Sequence, residues 1–131
     1  MPSHLHILCS SDKVLVSDIM RDFKTYTSKK LIETIKEEPE SRREWLLEQF
    51  SKACAHLKRK QKYKVWQNGY HAKEVYSAKF ANQKLNYIHN NPVKEGYVEN
   101  AEDYLFSSAK DYSGQKGLLK VELLIPELTR N

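Results

Sequence analysis

Between Ser77 and Pro92 the sequence leaves room for little except a helix. Ser77 is a serviceable N-cap, because its hydroxyl can accept from the backbone N–H groups of the first turn. Phe80, Leu85 and Ile88 follow at helical spacing, and Pro92 predicts a stop, since the residue before a proline avoids helical backbone angles. Within these limits Gln83, Tyr87 and Asn91 lie four apart and share a second face near the helix end.

The chain opens with Met1-Pro2-Ser3-His4-Leu5-His6-Ile7-Leu8. Residues 3–9 read as a strand, which would turn His4 and His6 to one face and Leu5 to the other. Two imidazoles so placed can chelate one divalent cation, with positions left open for phosphate oxygens and water. They can equally stand as ordinary histidines of a half-exposed strand.

A length of 131 residues and 40% hydrophobic content predict one domain, 1–131, with a modest core. No apolar run nears the roughly 18 residues that span a bilayer, and no basic-then-apolar leader precedes the first strand, so neither membrane nor export is expected. Cys9 and Cys54 form no disulfide framework, which fits a reducing cytoplasm. The net charge of +5 matters less than its distribution: no carboxylate occurs between Glu48 and Glu74. That interval holds Lys52, Lys58, Arg59, Lys60, Lys62, Lys64 and Lys73, with Tyr63, Trp66 and Tyr70 interleaved. The pattern is that of a single-strand-binding surface, or of a solvated basic loop.

Elsewhere, Ser17-Asp18 predicts a helix start, and Val16, Ile19, Met20, Phe23, Leu31 and Ile35 keep helical period with a break near Thr25–Thr27. The other face offers Arg21, Lys24, Tyr26, Ser28 and Lys29 to phosphates or to water. Pro39 closes an acidic turn, and Ser41-Arg42-Arg43-Glu44 has the spacing of a capping box. The helix it opens carries Trp45, Leu46, Phe50, Ala53, Cys54 and Leu57 on its apolar side. Strand candidates follow at 63–66, continuing past an Asn68-Gly69 turn toward Val75 and Tyr76, and at 118–124. His71 and His89 read as ordinary surface residues, or as residues that orient the site or contact DNA, rather than as metal ligands.

In its motifs the chain resembles the single-tyrosine His-hydrophobe-His transposases, most closely their REP-associated branch. The resemblance rests on the opening Met-Pro-Ser-His-Leu-His-Ile-Leu, on Arg21-Asp22-Phe23-Lys24, on Trp66-Gln67, on Tyr87-Ile88-His89-Asn90-Asn91-Pro92-Val93-Lys94-Glu95-Gly96, and on Tyr104-Leu105-Phe106-Ser107-Ser108-Ala109. It implies a ferredoxin-like α+β fold whose antiparallel sheet presents the histidines and is covered by helices. It implies that His4, His6 and Asn91 bind a divalent Mg²⁺ or Mn²⁺, and that Tyr87 is the nucleophile. The other tyrosines (26, 63, 70, 76, 97, 104 and 112) lack that relation to an amide before proline. A mixed His/Asn site with open positions suits those ions better than a closed structural zinc site.

The function so implied is metal-dependent cleavage of single-stranded or hairpin-forming DNA and strand transfer through a 5′-phosphotyrosine. Arg21, Lys24, Lys29, Lys58, Arg59, Lys60, Lys62, Lys64 and Trp66 are the expected DNA contacts, in a monomer or homodimer working at the nucleoid in the cytoplasm. The family carries a strand and a helix ahead of its Met-Pro motif, whereas this sequence opens on that motif. The expected sandwich therefore lacks its first strand and helix and leaves the histidine strand as an edge. The alternative is accordingly a truncated, catalytically impaired relative that only binds hairpin or single-stranded nucleic acid.

Overall fold

A computed structural model describes residues 4–57 and 60–124. Its elements in chain order are α1 (Val16–Glu37), α2 (Arg43–Lys52), α3 (Ala78–Lys94), a 3-10 turn (Ala101–Asp103) and α4 (Ala109–Tyr112). Backbone contacts divide the chain into two compact units, one formed by 1–8 with 73–131 and the other by 9–72.

In the unit 9–72, α1 runs unbroken for 22 residues. The expected break at Thr25–Thr27 does not occur, because both threonines turn back along the helix. Thr25 Oγ1 donates to the Arg21 carbonyl at 2.9 Å and Thr27 Oγ1 to the Phe23 carbonyl at 2.7 Å, which keeps a β-branched pair inside the helical ladder. The helix stops ahead of Pro39, and Arg43 closes its end by donating to the Ile35 and Glu38 carbonyls at 2.9 and 2.8 Å. The capping box predicted at Ser41 does not form. The N-cap of α2 is Arg42, and Glu40 takes the local role by accepting from the Arg42 backbone N–H at 2.9 Å. Beyond α2 the chain folds back, and the Lys64 N–H reaches the Phe50 carbonyl at 2.9 Å. Ile35 and Cys54 are the buried apolar residues of this unit among those described.

In the other unit, α3 begins as expected, with Ser77 Oγ accepting from the Phe80 N–H at 3.2 Å. It does not stop before Pro92. The proline lies inside the last turn, where its missing N–H costs only one ladder bond, and termination falls to Gly96 at φ +73°. The Gly96 N–H donates to Val93 O at 3.0 Å and the Tyr97 N–H to Pro92 O at 2.9 Å, the paired bonds of a Schellman cap. Leu85, His89, Asn91 and Pro92 face inward, together with Ala109 at the start of α4. At Gly117 a Cβ would collide with the Asp111 carboxylate, whose Oδ1 accepts from the Gly117 N–H at 3.1 Å.

The expected ferredoxin-like α+β sandwich is contradicted: the described residues are helical and irregular, with no strand. The segments read as strands at 3–9, 63–66 and 118–124 are extended or bent but unladdered wherever they are described. A strand is stable only when a neighbour takes up its backbone groups and one face is buried. Neither condition holds for the histidine segment, whose alternating apolar residues Leu5 and Ile7 are 51% and 45% exposed. No helix is long and apolar enough to cross a membrane among the described residues.

Candidate active site around Tyr87

The residues singled out by the N-terminal histidines and by the tyrosine helix lie in one unit, 1–8 with 73–131. Helical spacing puts Tyr87 and Asn91 one turn apart on α3. Asn91 is buried at 7% exposure, whereas Tyr87 stands 49% exposed. The histidine segment crosses this part of the helix. The Asn91 side-chain N–H donates to His6 Nε2 at 3.3 Å. The His6 ring meets Tyr87 edge to face, with centroids 5.8 Å apart and planes at 90°. His4 lies nearly parallel to His6, at 6.5 Å between centroids. One imidazole, His6, thus touches both the phenol and the amide across 85 residues of sequence separation.

No known protein-family model, curated protein or solved structure matches this chain.

Among the described residues no group of three His, Cys, Asp or Glu is placed to hold a metal. The donors near Tyr87 are instead two imidazoles and an amide. They fit a divalent ion of mixed nitrogen and oxygen preference: His6 already directs an Nε2 lone pair at Asn91, and half a turn of that amide would present Oδ1 in place of its N–H. His4, on the exposed side, would complete the set with water.

His89, read from sequence as a surface residue, is buried at 8% exposure. Its Nε2 lies 3.0 Å from Ser108 Oγ, and its ring meets Tyr112 edge to face at 5.1 Å. Burial holds its pKa below the ordinary histidine value. It secures α3 against α4 rather than facing a ligand. His71 is exposed, as expected.

A second group of expected contacts gathers in the unit 9–72. Lys29, Lys62, Lys64 and Trp66 line an open groove of about 610 Å³ between α1 and the segment 61–69. Lys24 also lines it, but its ammonium is engaged by the Gln67 and Gly69 carbonyls and lies 5.9 Å from the Tyr70 ring centre. Arg21 is held by Asp18 at 2.7 Å and Asp22 at 2.9 Å, and the hydrogen bond it donates to Asp22 raises its already high pKa. Trp66 donates its indole N–H to Thr27 Oγ1 at 2.9 Å and packs on Phe23 at 5.9 Å. Tyr63, one of the aromatics interleaved in the basic interval, has Lys36 and Lys62 over its ring at 5.2 and 5.5 Å. Lys60 is exposed, and Lys58 and Arg59 lie outside the described residues.

Sequence reasoning also missed an open polar patch beside Tyr87 on α3, bounded by Gln83, Asn86, Asn90 and Lys94. The signal was available: positions 83, 86, 87, 90 and 94 recur at helical spacing, and α3 contains no carboxylate over 17 residues.

Proposed function

We propose that this chain is a single-strand DNA nickase and strand transferase of the kind its motifs resemble, with Tyr87 as nucleophile. The observation that carries the reading is the meeting of His6 with both Tyr87 and Asn91. A phenol, an imidazole and an amide from opposite ends of the chain converge where an exposed hydroxyl can reach a phosphate.

His4, His6 and Asn91 would hold a divalent Mg²⁺ or Mn²⁺, which would supply positive charge to offset the charge that develops at the scissile phosphate. Tyr87 Oη forms the new bond to phosphorus as the bond to the 3′ oxygen breaks. The phenolic proton leaves to solvent, the 3′ oxygen takes one up, and the products are a 5′-phosphotyrosine and a free 3′-hydroxyl. An ester replaces an ester, so rejoining by a second 3′-hydroxyl needs no external energy source. The edge-on His6 ring restricts the phenol to few positions, which favours attack from one direction. The lysine-lined groove of the unit 9–72 supports a role in holding single-stranded or hairpin DNA. Action at the nucleoid follows from that substrate.

The second reading, binding without cleavage, is favoured by one observation: no strand among the described residues supports the histidine segment, so His4 and His6 are held by side-chain contacts rather than by a ladder. Incubation with a hairpin oligonucleotide bearing single-stranded flanks and Mn²⁺, followed by denaturing electrophoresis, separates the two. A covalent protein–DNA band that disappears in Tyr87→Phe is the result expected of the nickase. Hairpin retention under native conditions with no covalent band would establish binding alone.

A further inference from the structure

We infer that residues 118–124 form a dimerisation strand, which pairs antiparallel with the same residues of a second copy of this chain across a two-fold axis at Val121. The inference is independent of the nickase reading. The run Leu118-Leu119-Lys120-Val121-Glu122-Leu123-Leu124 reads alike in both directions, except that a lysine answers a glutamate. Antiparallel pairing about Val121 sets Lys120 of each copy opposite Glu122 of the other, so unlike charges meet twice. Leucines flank them at both ends. An axis at Lys120 or at Glu122 would set like charges opposite, and so would parallel pairing in register. The charges therefore fix both direction and register, and a pattern complementary to itself commits the edge to a second copy rather than to an unrelated strand.

The structure leaves this run exposed but anchored. Leu118, Leu119, Leu123 and Leu124 are 60%, 76%, 49% and 42% exposed. Lys120 and Glu122 are exposed and enter no ion pair among the described residues. Among those residues, no backbone–backbone hydrogen bond involves 118–123. The two ends are nevertheless tied to α4. The Gly117 N–H donates to Asp111 Oδ1 at 3.1 Å, and the Leu124 N–H to Tyr112 Oη at 2.9 Å.

The second anchor also decides which edge is open. The chain bends at 118–119 and runs without a bend from Lys120 to Leu124. Successive N–H groups of such a stretch point to opposite edges. With the Leu124 N–H turned to Tyr112, that of Glu122 shares its edge, and those of Val121 and Leu123 lie on the other. These are the groups an axis at Val121 uses: Val121 exchanges both bonds with its own copy, and Leu123 pairs with Leu119. The ladder gathers Leu119, Val121 and Leu123 of both copies on one face, with the charges on the other. Seven residues a side is far short of the roughly 20–30 of a standard interface, so the dimer is weak and forms with rising concentration.

Sedimentation velocity of the full chain in low-salt buffer with EDTA, without DNA, tests this. The mass is expected to climb with concentration from monomer to dimer and to stop there. Lys120→Glu and Glu122→Lys each set like charges opposite at two points, and each should raise the dimer dissociation constant about tenfold. The double change Lys120→Glu/Glu122→Lys restores the pattern and should dimerise like the unmodified chain. An equimolar mixture of the two single variants should form a heterodimer, because every opposed pair is then unlike. Val121→Pro removes the central donor and should leave a monomer whose circular dichroism is unchanged. A chain that stays monomeric throughout, single variants that dimerise undiminished, a mixture that does not associate, or species that grow beyond the dimer would overturn the two-fold strand.

Discussion

Tyr87 and Asn91 sit one turn apart, yet their loss should have different consequences. Tyr87→Phe removes one oxygen, keeps the ring against His6, and is expected to abolish the covalent adduct while hairpin affinity changes little. Asn91→Ala should leave a slow activity that needs more metal, since water can replace a ligand but not a nucleophile. In a Mn²⁺ titration the double variant His4→Ala/His6→Ala should bind far more weakly than the unmodified chain; equal affinity would place the metal elsewhere. His89 makes a different prediction. Its folded-state pKa is depressed by burial below 6.5, so the unfolded chain takes up its proton first as the pH falls. Stability is then full above about pH 6.5 and declines below it, and His89→Gln should flatten that decline in urea melts at pH 7.5 and 5. The residues were unequally legible. The one-turn relation of Tyr87 and Asn91 follows from helical spacing, whereas their roles, and a site shared with His6 across a separation that no local period encodes, entered through the family resemblance. The burial of His89 was readable as the continuation of the Leu85 stripe one turn on, but its polarity masked it.

Among the elements, α3 shows how termini decide legibility. Its start was plain because Ser77 has the chemistry of a cap and uses it. Its end was misread at Pro92, because a proline three residues before the cap disturbs only the last turn, and Gly96 supplies the true stop. Gly96→Ala would meet no steric contact, since nothing lies within 4 Å of the added Cβ. Its cost is the left-handed backbone alone, about 1 kcal/mol, measurable as a lower urea midpoint with adduct formation retained at low denaturant. The capping box at Ser41 failed for the converse reason: the pattern was present, but the helix starts one residue later, with Arg42 at the N-cap and no side-chain cap hydrogen bond. In α1, threonines taken as a break are absorbed by their own back-bonds, and Thr27 also accepts from Trp66. Thr27→Val should therefore cost about 1 kcal/mol by leaving the indole N–H without its partner.

At the scale of the whole chain, helices were legible and the sheet was not. Helices close their hydrogen bonds locally, so spacing and caps suffice to predict them. A strand is defined by a neighbour distant in sequence, and short runs such as 63–66 and 118–124 carry no information about whether that neighbour exists. The expected α+β fold came from the resemblance, and the unladdered, half-exposed histidine segment is what overturns it. The convergence of His6, Tyr87 and Asn91 does not depend on a sheet, and the functional proposal stands on that convergence. It is tested most directly by mapping the site of DNA attachment. After reaction with hairpin DNA and Mn²⁺, nuclease trimming and trypsin digestion, mass spectrometry should find the nucleotide remnant on peptide 85–94, which contains Tyr87 as its one tyrosine. A remnant on any other tyrosine, Tyr76 or Tyr97 for instance, or an intact hairpin with no modified peptide, would contradict the assignment.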